Sequence, residues 1–215
     1  MPKEVDAKVR RSEFVDAVWR VIRREGLSAA TLRRVASEAS CTTGALTHYF
    51  SNRHALLVQA LRAAHFTAGA RMMEAARQVK GDLKRLETIV LEALPLDAER
   101  MREWQTHLAF WGEASANERL REENARRFRE WAAVLEHYLR PIIPRPEARR
   151  REAVLLMGLI DGLALRLLLH GRAGDRIHAP ASEIVADVRF YLRALQRRTL
   201  SRRRTRRQAS ANSVS

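Results

Sequence analysis

Residues Thr31–Leu57 read TLRRVASEASCTTGALTHYFSNRHALL. Leu32, Val35, Ala36 and Ala39 recur at helical spacing behind Thr31, a good N-cap, so a short helix is predicted there. An interruption at Ser40–Thr42 precedes another short helix reaching about Tyr49, in which Leu46 and Phe50 share a face at i, i+4. Two short helices joined by a tight turn form a helix-turn-helix, whose second helix fits a major groove about 12 Å wide. With Leu46 and Phe50 turned inward, the opposite face carries Thr42, Thr43, Thr47, His48 and Tyr49. Hydroxyls, an imidazole and a phenol can contact phosphates, base edges and thymine methyls. Gly44 lets the backbone come close to a duplex. Thr31 and Arg53 complete the candidate DNA-binding set. A cation in the first turn of a helix is unfavourable unless an anion lies nearby, which suits Arg53 to a phosphate. A polar hairpin that packs helices without touching nucleic acid is the bland alternative, and His48 taken alone fits a structural role as well.

Upstream, Phe14, Val18, Val21 and Ile22 mark a helix that Gly26 ends, preceded by a basic arm of Lys3, Lys8, Arg10 and Arg11. Downstream, Ser51 or Asn52 caps a long helix carrying Leu56, Leu57, Ala60, Leu61 and Ala64. Beyond Gly81, further helices are predicted through Leu83–Ala93, from a cap at Asp97 through Trp111, through Phe128–Leu139, from about Pro146 to His170 and over Glu183–Gln196, with a loop at Gly171–Pro180. Strand-like alternation and internal repeats are absent. The expectation is an all-α chain of about nine helices: a helix-turn-helix domain at 1–60, a helical ligand-binding and dimerisation domain at 61–196, and a basic disordered tail at 197–215.

The chain has 215 residues, with 40 basic and 25 acidic side chains and a net charge of +15. Such a surplus points to a polyanion or an anionic surface. It is unevenly spread: residues 1–60 hold 10 basic and 6 acidic groups, 61–196 hold 23 and 19, and the last 19 residues hold seven arginines and no acid. The tail can attract phosphate without reading sequence, or be a solvated end with no role. One cysteine, Cys41, excludes an internal disulfide. The charged start is not a secretory signal, and the longest apolar stretch, Ala153–Leu169, carries Asp161 and Arg166 and is too short for a membrane span. A cytoplasmic protein without membrane contact is expected.

Six of the chain's 13 Phe, Trp and Tyr residues fall in two consecutive helices: Trp104, Phe110 and Trp111, together with His107, then Phe128, Trp131 and Tyr138. Trp104, His107 and Trp111 share a face, and aromatic faces hold a quaternary ammonium by cation–π attraction of roughly 0.5–2 kcal/mol each. Glu103, Glu113 or Asp161 can supply a counter-charge. Aromatic residues at this spacing more often form a core, and that reading is the stronger one. Asp161, inside the most apolar helix, has to be paired, hydrogen-bonded or neutral. No metalloprotease helix, phosphate loop or nucleophile elbow is present, so catalysis is not expected. Glu103 and His107 at i, i+4 lack a third metal ligand, so neither cofactor nor metal is expected.

The run Gly44, Leu46, His48-Tyr49-Phe50 with Arg53 and Leu56-Leu57 resembles the DNA-binding segment of TetR-type repressors. Three positions depart from that pattern: Ser40 stands where the turn usually has glycine, Thr43 replaces a common lysine and Thr47 a common tyrosine. Leu94–Glu136 and Leu159–His170 resemble the C-terminal domain of the BetI-like subgroup, whose members govern the making of glycine betaine from choline and respond to choline. The resemblance implies a homodimeric repressor that binds a palindromic double-stranded DNA operator and is released by a small-molecule effector. It also implies a dimer bundle, with Leu159, Leu163, Leu167, Val188, Tyr191 and Leu195 as the interface. The alternatives are a non-specific architectural nucleic-acid-binding protein and, more remotely, a helical enzyme with a Glu/His site.

Overall fold

The computed structural model describes residues 2–169 and 181–212. Among them it has nine α-helices and no strand: α1 Pro2–Glu25, α2 Leu32–Glu38, α3 Thr43–Thr47, α4 Arg53–Arg77, α5 Asp82–Glu92, α6 Ala98–Ala116, α7 Glu118–Leu139, α8 Pro146–Leu169 and α9 Ala181–Asn212. A 3-10 turn, Leu27–Ala29, lies between α1 and α2. The loop expected at Gly171–Pro180 falls outside the described residues. Side-chain caps set most of the helix starts. Thr31 Oγ1 accepts from Arg34 N at 3.1 Å, Thr42 Oγ1 from Ala45 N at 3.1 Å, Asn52 Oδ1 from Ala55 N at 2.9 Å, Asp97 Oδ1 from Arg100 N at 2.8 Å and Asn117 Oδ1 from Leu120 N at 3.1 Å.

Two compact units divide the chain, one of residues 1–70 and 102–127, the other of 71–101 and 128–215. The first therefore reaches past the expected limit of residue 60 and takes in most of α6 and the start of α7. Its core explains why. Phe14, Val18 and Val21 of α1, Val35 and Ala36 of α2, Leu46 of α3 and Leu56, Leu57 and Ala60 of α4 are joined by Phe110, Ala114 and Leu120. Sixty residues bury little apolar surface alone, and the recruited helices enlarge the core.

In the second unit Leu86, Ile89 and Val90 of α5, Leu135 and Leu139 of α7, Leu156, Ile160 and Leu163 of α8 and Ile184, Val188, Leu192 and Leu195 of α9 are buried. Arg189 Nε pairs with Glu87 at 2.8 Å, tying α9 to α5, and the Tyr191 hydroxyl donates to Glu152 of α8. Leu163, Val188 and Leu195, expected at the interface, are buried in the core of their own chain. Tyr191, half-buried, is engaged within the unit as well. Of the expected interface set, Leu159 and Leu167 keep partial exposure. Among the described residues of this unit, the exposed large apolar side chains are Met73 of α4, Val154, Leu155 and Leu169 of α8, and Phe190 and Leu200 of α9; Val154, Leu155 and Phe190 are 63%, 57% and 69% exposed.

The segment expected to be disordered from Arg197 onward continues α9 as helix to Asn212. Once a helix is nucleated, each further residue adds a hydrogen bond, and Arg, Gln and Ala are strong helix formers. Neither Gly nor Pro interrupts the run. The basic N-terminal arm is likewise helical from Pro2.

Candidate nucleic-acid interface and ligand site

The turn between α2 and α3 is closed by two backbone bonds, Cys41 N to Ala36 O at 2.9 Å and Ser40 N to Ser37 O at 3.2 Å. This is the Schellman arrangement, which places the residue after the C-cap in the left-handed region. That residue is Ser40, with φ of 52°, so the turn does keep the geometry for which glycine is best suited.

Leu46 and Phe50 are buried and hold α3 against the core, as its spacing requires. Thr42, Thr43, Gly44, Thr47 and His48 are exposed together, with Thr31 exposed at the start of α2. Ala45, absent from the predicted set, is exposed as well and adds a methyl suited to thymine contact. The Thr47 hydroxyl donates to Gly44 O at 3.0 Å, leaving its oxygen lone pairs as acceptors. Helix α3 ends at Thr47, two residues before the expected limit, and His48 is its C-cap.

Two predicted residues are placed differently. Tyr49 is half-buried, its ring edge-on to Phe14 at 5.3 Å, so its ring belongs partly to the core. Arg53 points into its own unit. Its Nε donates to Ala30 O at 3.1 Å, its Nη2 to Leu27 O at 2.9 Å, and both terminal nitrogens meet the Glu113 carboxylate of α6. The anion that offsets its position at a helix N-terminus is Glu113, 60 residues away in sequence. No spacing in a single sequence could have announced that pairing.

The aromatic set is divided. Trp104, His107 and Trp111 cluster in the first unit: Trp104 is edge-on to Trp111 at 5.8 Å and to His107 at 5.9 Å. Trp111 Nε1 donates to Asn124 Oδ1 at 3.2 Å. Phe110 is buried with its ring centroid 6.4 Å from that of Trp19, and Trp104 is buried as well. Phe128, Trp131 and Asp161 belong to the second unit. Burial pushes the Asp161 carboxyl up to about 6.

The sequence reading missed His65 of α4. Its Nε2 lies 2.8 Å from Nε2 of His107, with the ring centroids 4.4 Å apart. Its Nδ1 faces Leu61 O at 3.4 Å. The consistent assignment is Nδ1–H of His65 donating to Leu61, the His65 Nε2 accepting from His107, and the His107 Nδ1 left as an acceptor. Burial lowers His107 to about 4, and burial together with the adjacent His107 lowers His65 further, so both rings are neutral at pH 7. His107 thus takes His65 as its partner, and among the described residues no group of three His, Cys, Asp or Glu could hold a metal ion.

A short polar helix, exposed on one side and clamped by a capped, tightly turned partner on the other, defines a DNA-reading helix-turn-helix regulator. Comparison with known proteins agrees. Residues 14–60 match the model for bacterial regulatory proteins of the tetR family, and residues 82–197 that for the BetI-type transcriptional repressor C-terminal domain. The chain is 34% identical to the HTH-type transcriptional regulator BetI of Paraburkholderia phytofirmans, over 81% of this chain and 90% of that protein. It is 30% identical to the HTH-type transcriptional regulator PksA of Bacillus subtilis, over 79% and 83%. Among solved structures, a transcriptional regulator from Rhodococcus sp. Rha1 shares 26% identity with a TM-score of 0.72, covering 87% of this chain and 96% of that one. A putative regulator from Saccharomonospora viridis in complex with choline has the same fold, with a TM-score of 0.71 at 21% identity over 86% and 96%. The chain belongs to the TetR family of transcriptional regulators, in its BetI-type branch, and is a repressor and not an enzyme.

Proposed function

We propose that the chain acts in the cytoplasm as a homodimer on a palindromic operator. In this reading Thr42, Thr43, Gly44, Ala45, Thr47 and His48 meet the duplex, and a small molecule seated against Trp104, His107 and Trp111 releases it. The carrying observation is the exposed polar face of α3, whose opposite side is fixed by Leu46 and Phe50. Two such helices must lie about 34–36 Å apart to enter successive major grooves. The apolar outer face of α8 and α9, with Val154, Leu155 and Phe190, supports a dimer. Gly158 and Gly162 on α8 have open space around them, which lets a second helix approach.

The effector is a small cation of the quaternary-ammonium kind, choline or betaine aldehyde. Trp104, buried against Trp111, and Trp111 itself supply the aromatic rings for cation–π attraction, and the two histidines add no positive charge, while Glu103 offsets the nearby Arg127. Helix α6 carries both this cluster and Glu113, the partner of Arg53. A ligand that favours a shifted α6 therefore acts on the first turn of α4 and on the carbonyls that Arg53 holds. It has to prefer the shifted state, since equal affinity for both would release nothing.

Calorimetric titration with choline tests the effector, alongside operator release in a mobility-shift assay. Binding that is lost in Trp104→Ala and Trp111→Ala, with release by choline, is expected. No heat at millimolar ligand would exclude the cationic effector. Release that persists in Glu113→Gln would exclude the path through Arg53.

A further inference from the structure

Almost half of the chain's net charge of +15 lies in its last 19 residues. Seven of the last 19 residues are arginine and none is acidic. The family match ends at residue 197, before most of these arginines. Helix α9 nonetheless runs on to Asn212, 32 residues from its start. We propose that the arginine-rich end of α9 is a second nucleic-acid contact, a basic helix that binds the phosphate backbone of duplex DNA without reading its bases.

The sequence pattern chooses among polyanions. At 3.6 residues per turn, positions 197, 198, 202, 203, 204, 206 and 207 fall on every side of the helix. A helix that lies on a membrane needs one broad apolar face, and Leu200 is the one large apolar residue between 198 and 212. An acidic protein partner would select a single face. A duplex surrounded by phosphate charge does not. The chain is already a DNA-binding regulator, and this inference rests on that reading. A second contact on the same chain acts at high local concentration once the first has formed. The segment then adds affinity and salt dependence to every site, while α3 keeps the choice of site.

The test compares the full chain with a variant carrying Arg202→Gln, Arg203→Gln, Arg204→Gln, Arg206→Gln and Arg207→Gln. Glutamine matches arginine closely in helix propensity, so circular dichroism should be unchanged. Binding of a 30-base-pair duplex of scrambled sequence is measured by fluorescence anisotropy across a potassium chloride series. Each lost phosphate contact flattens the plot of log affinity against log salt by about 0.9, so a slope shallower by about 2–4 per protomer is expected. Affinity at low salt should fall by at least about tenfold. The sequence selected from a random duplex pool should be the same for both chains. An unchanged salt slope overturns the proposal. So does a changed sequence preference, which would make the segment a base reader. Phosphatidylglycerol vesicles that bind the full chain and not the variant, with DNA binding equal, would assign the segment to a membrane surface instead. Tighter binding of single-stranded RNA than of duplex through these arginines would assign it to RNA. If the full chain shows the salt effect but selects no sequence, this proposal stands and the operator reading fails.

Discussion

A methyl group placed on Gly44 would meet only Thr42 Oγ1, at 3.8 Å, and the residue does not adopt positive φ. Nothing inside the protein therefore requires glycine there, although a glycine within a helix costs roughly 1 kcal/mol relative to alanine. The requirement, if any, comes from outside. Gly44→Ala should raise stability by roughly 0.5–1 kcal/mol in urea unfolding and weaken operator binding at least tenfold; equal or tighter binding would show that the backbone does not approach DNA. Ser40 presents the opposite case. A left-handed conformation costs an ordinary residue roughly 1–2 kcal/mol, part of which is recovered in the unfolded chain. Ser40→Gly should therefore move the urea midpoint upward with DNA affinity unchanged. Arg53 shows why such readings need contacts. Its charge at a helix start was legible, but the partner that explains it lies on α6.

At the scale of elements, α4 and α6 are joined by two neutral imidazoles in addition to the Arg53–Glu113 pair. Unfolded, each histidine takes up a proton near pH 6.5, whereas folded neither does until well below. The stability this pair contributes is complete above pH 6.5 and is lost as pH falls toward 4. At about 1.4 kcal/mol per pH unit for each group, the loss between pH 6.5 and 5 is roughly 2–4 kcal/mol. Replacing both by His65→Gln and His107→Gln should flatten that part of the stability profile, read by urea denaturation at a series of pH values. A profile that stays steep would place the titrating groups elsewhere. The helices themselves were legible, because apolar spacing and caps such as Thr31 and Asp97 are local signals. Two limits were not. α9 continues where low apolar content suggested disorder, since helix extension needs no burial. The pairing of His65 with His107 was invisible, because it depends on how α4 and α6 cross.

For the whole molecule, the sequence separated its jobs less cleanly than the structure does. A boundary at residue 60 follows the helix-turn-helix pattern, yet Phe110, Ala114 and Leu120 complete the same core. Periodicity alone could not say which face of α8 stays within the chain. Leu163, Val188 and Leu195 face inward, and Phe190 with Val154 and Leu155 remains outside. Phe190→Glu should therefore yield a monomer in sedimentation velocity with its helix content intact and operator affinity strongly reduced. A dimer that persists would move the interface to another surface. The net charge of +15 is also distributed by role, since the exposed face of α3 carries hydroxyls and one imidazole in place of formal charge. That division leads to the central claim, that sequence is read by α3 in a two-fold assembly. Selection of bound duplexes from a random pool tests it most directly. An inverted repeat is expected, with half-sites centred about 10 base pairs, or a multiple of one helical turn, apart. Enrichment that Thr47→Ala and Gly44→Ala erase would confirm the reader. A pool that yields no symmetric site, or one whose enrichment survives both substitutions, would contradict it.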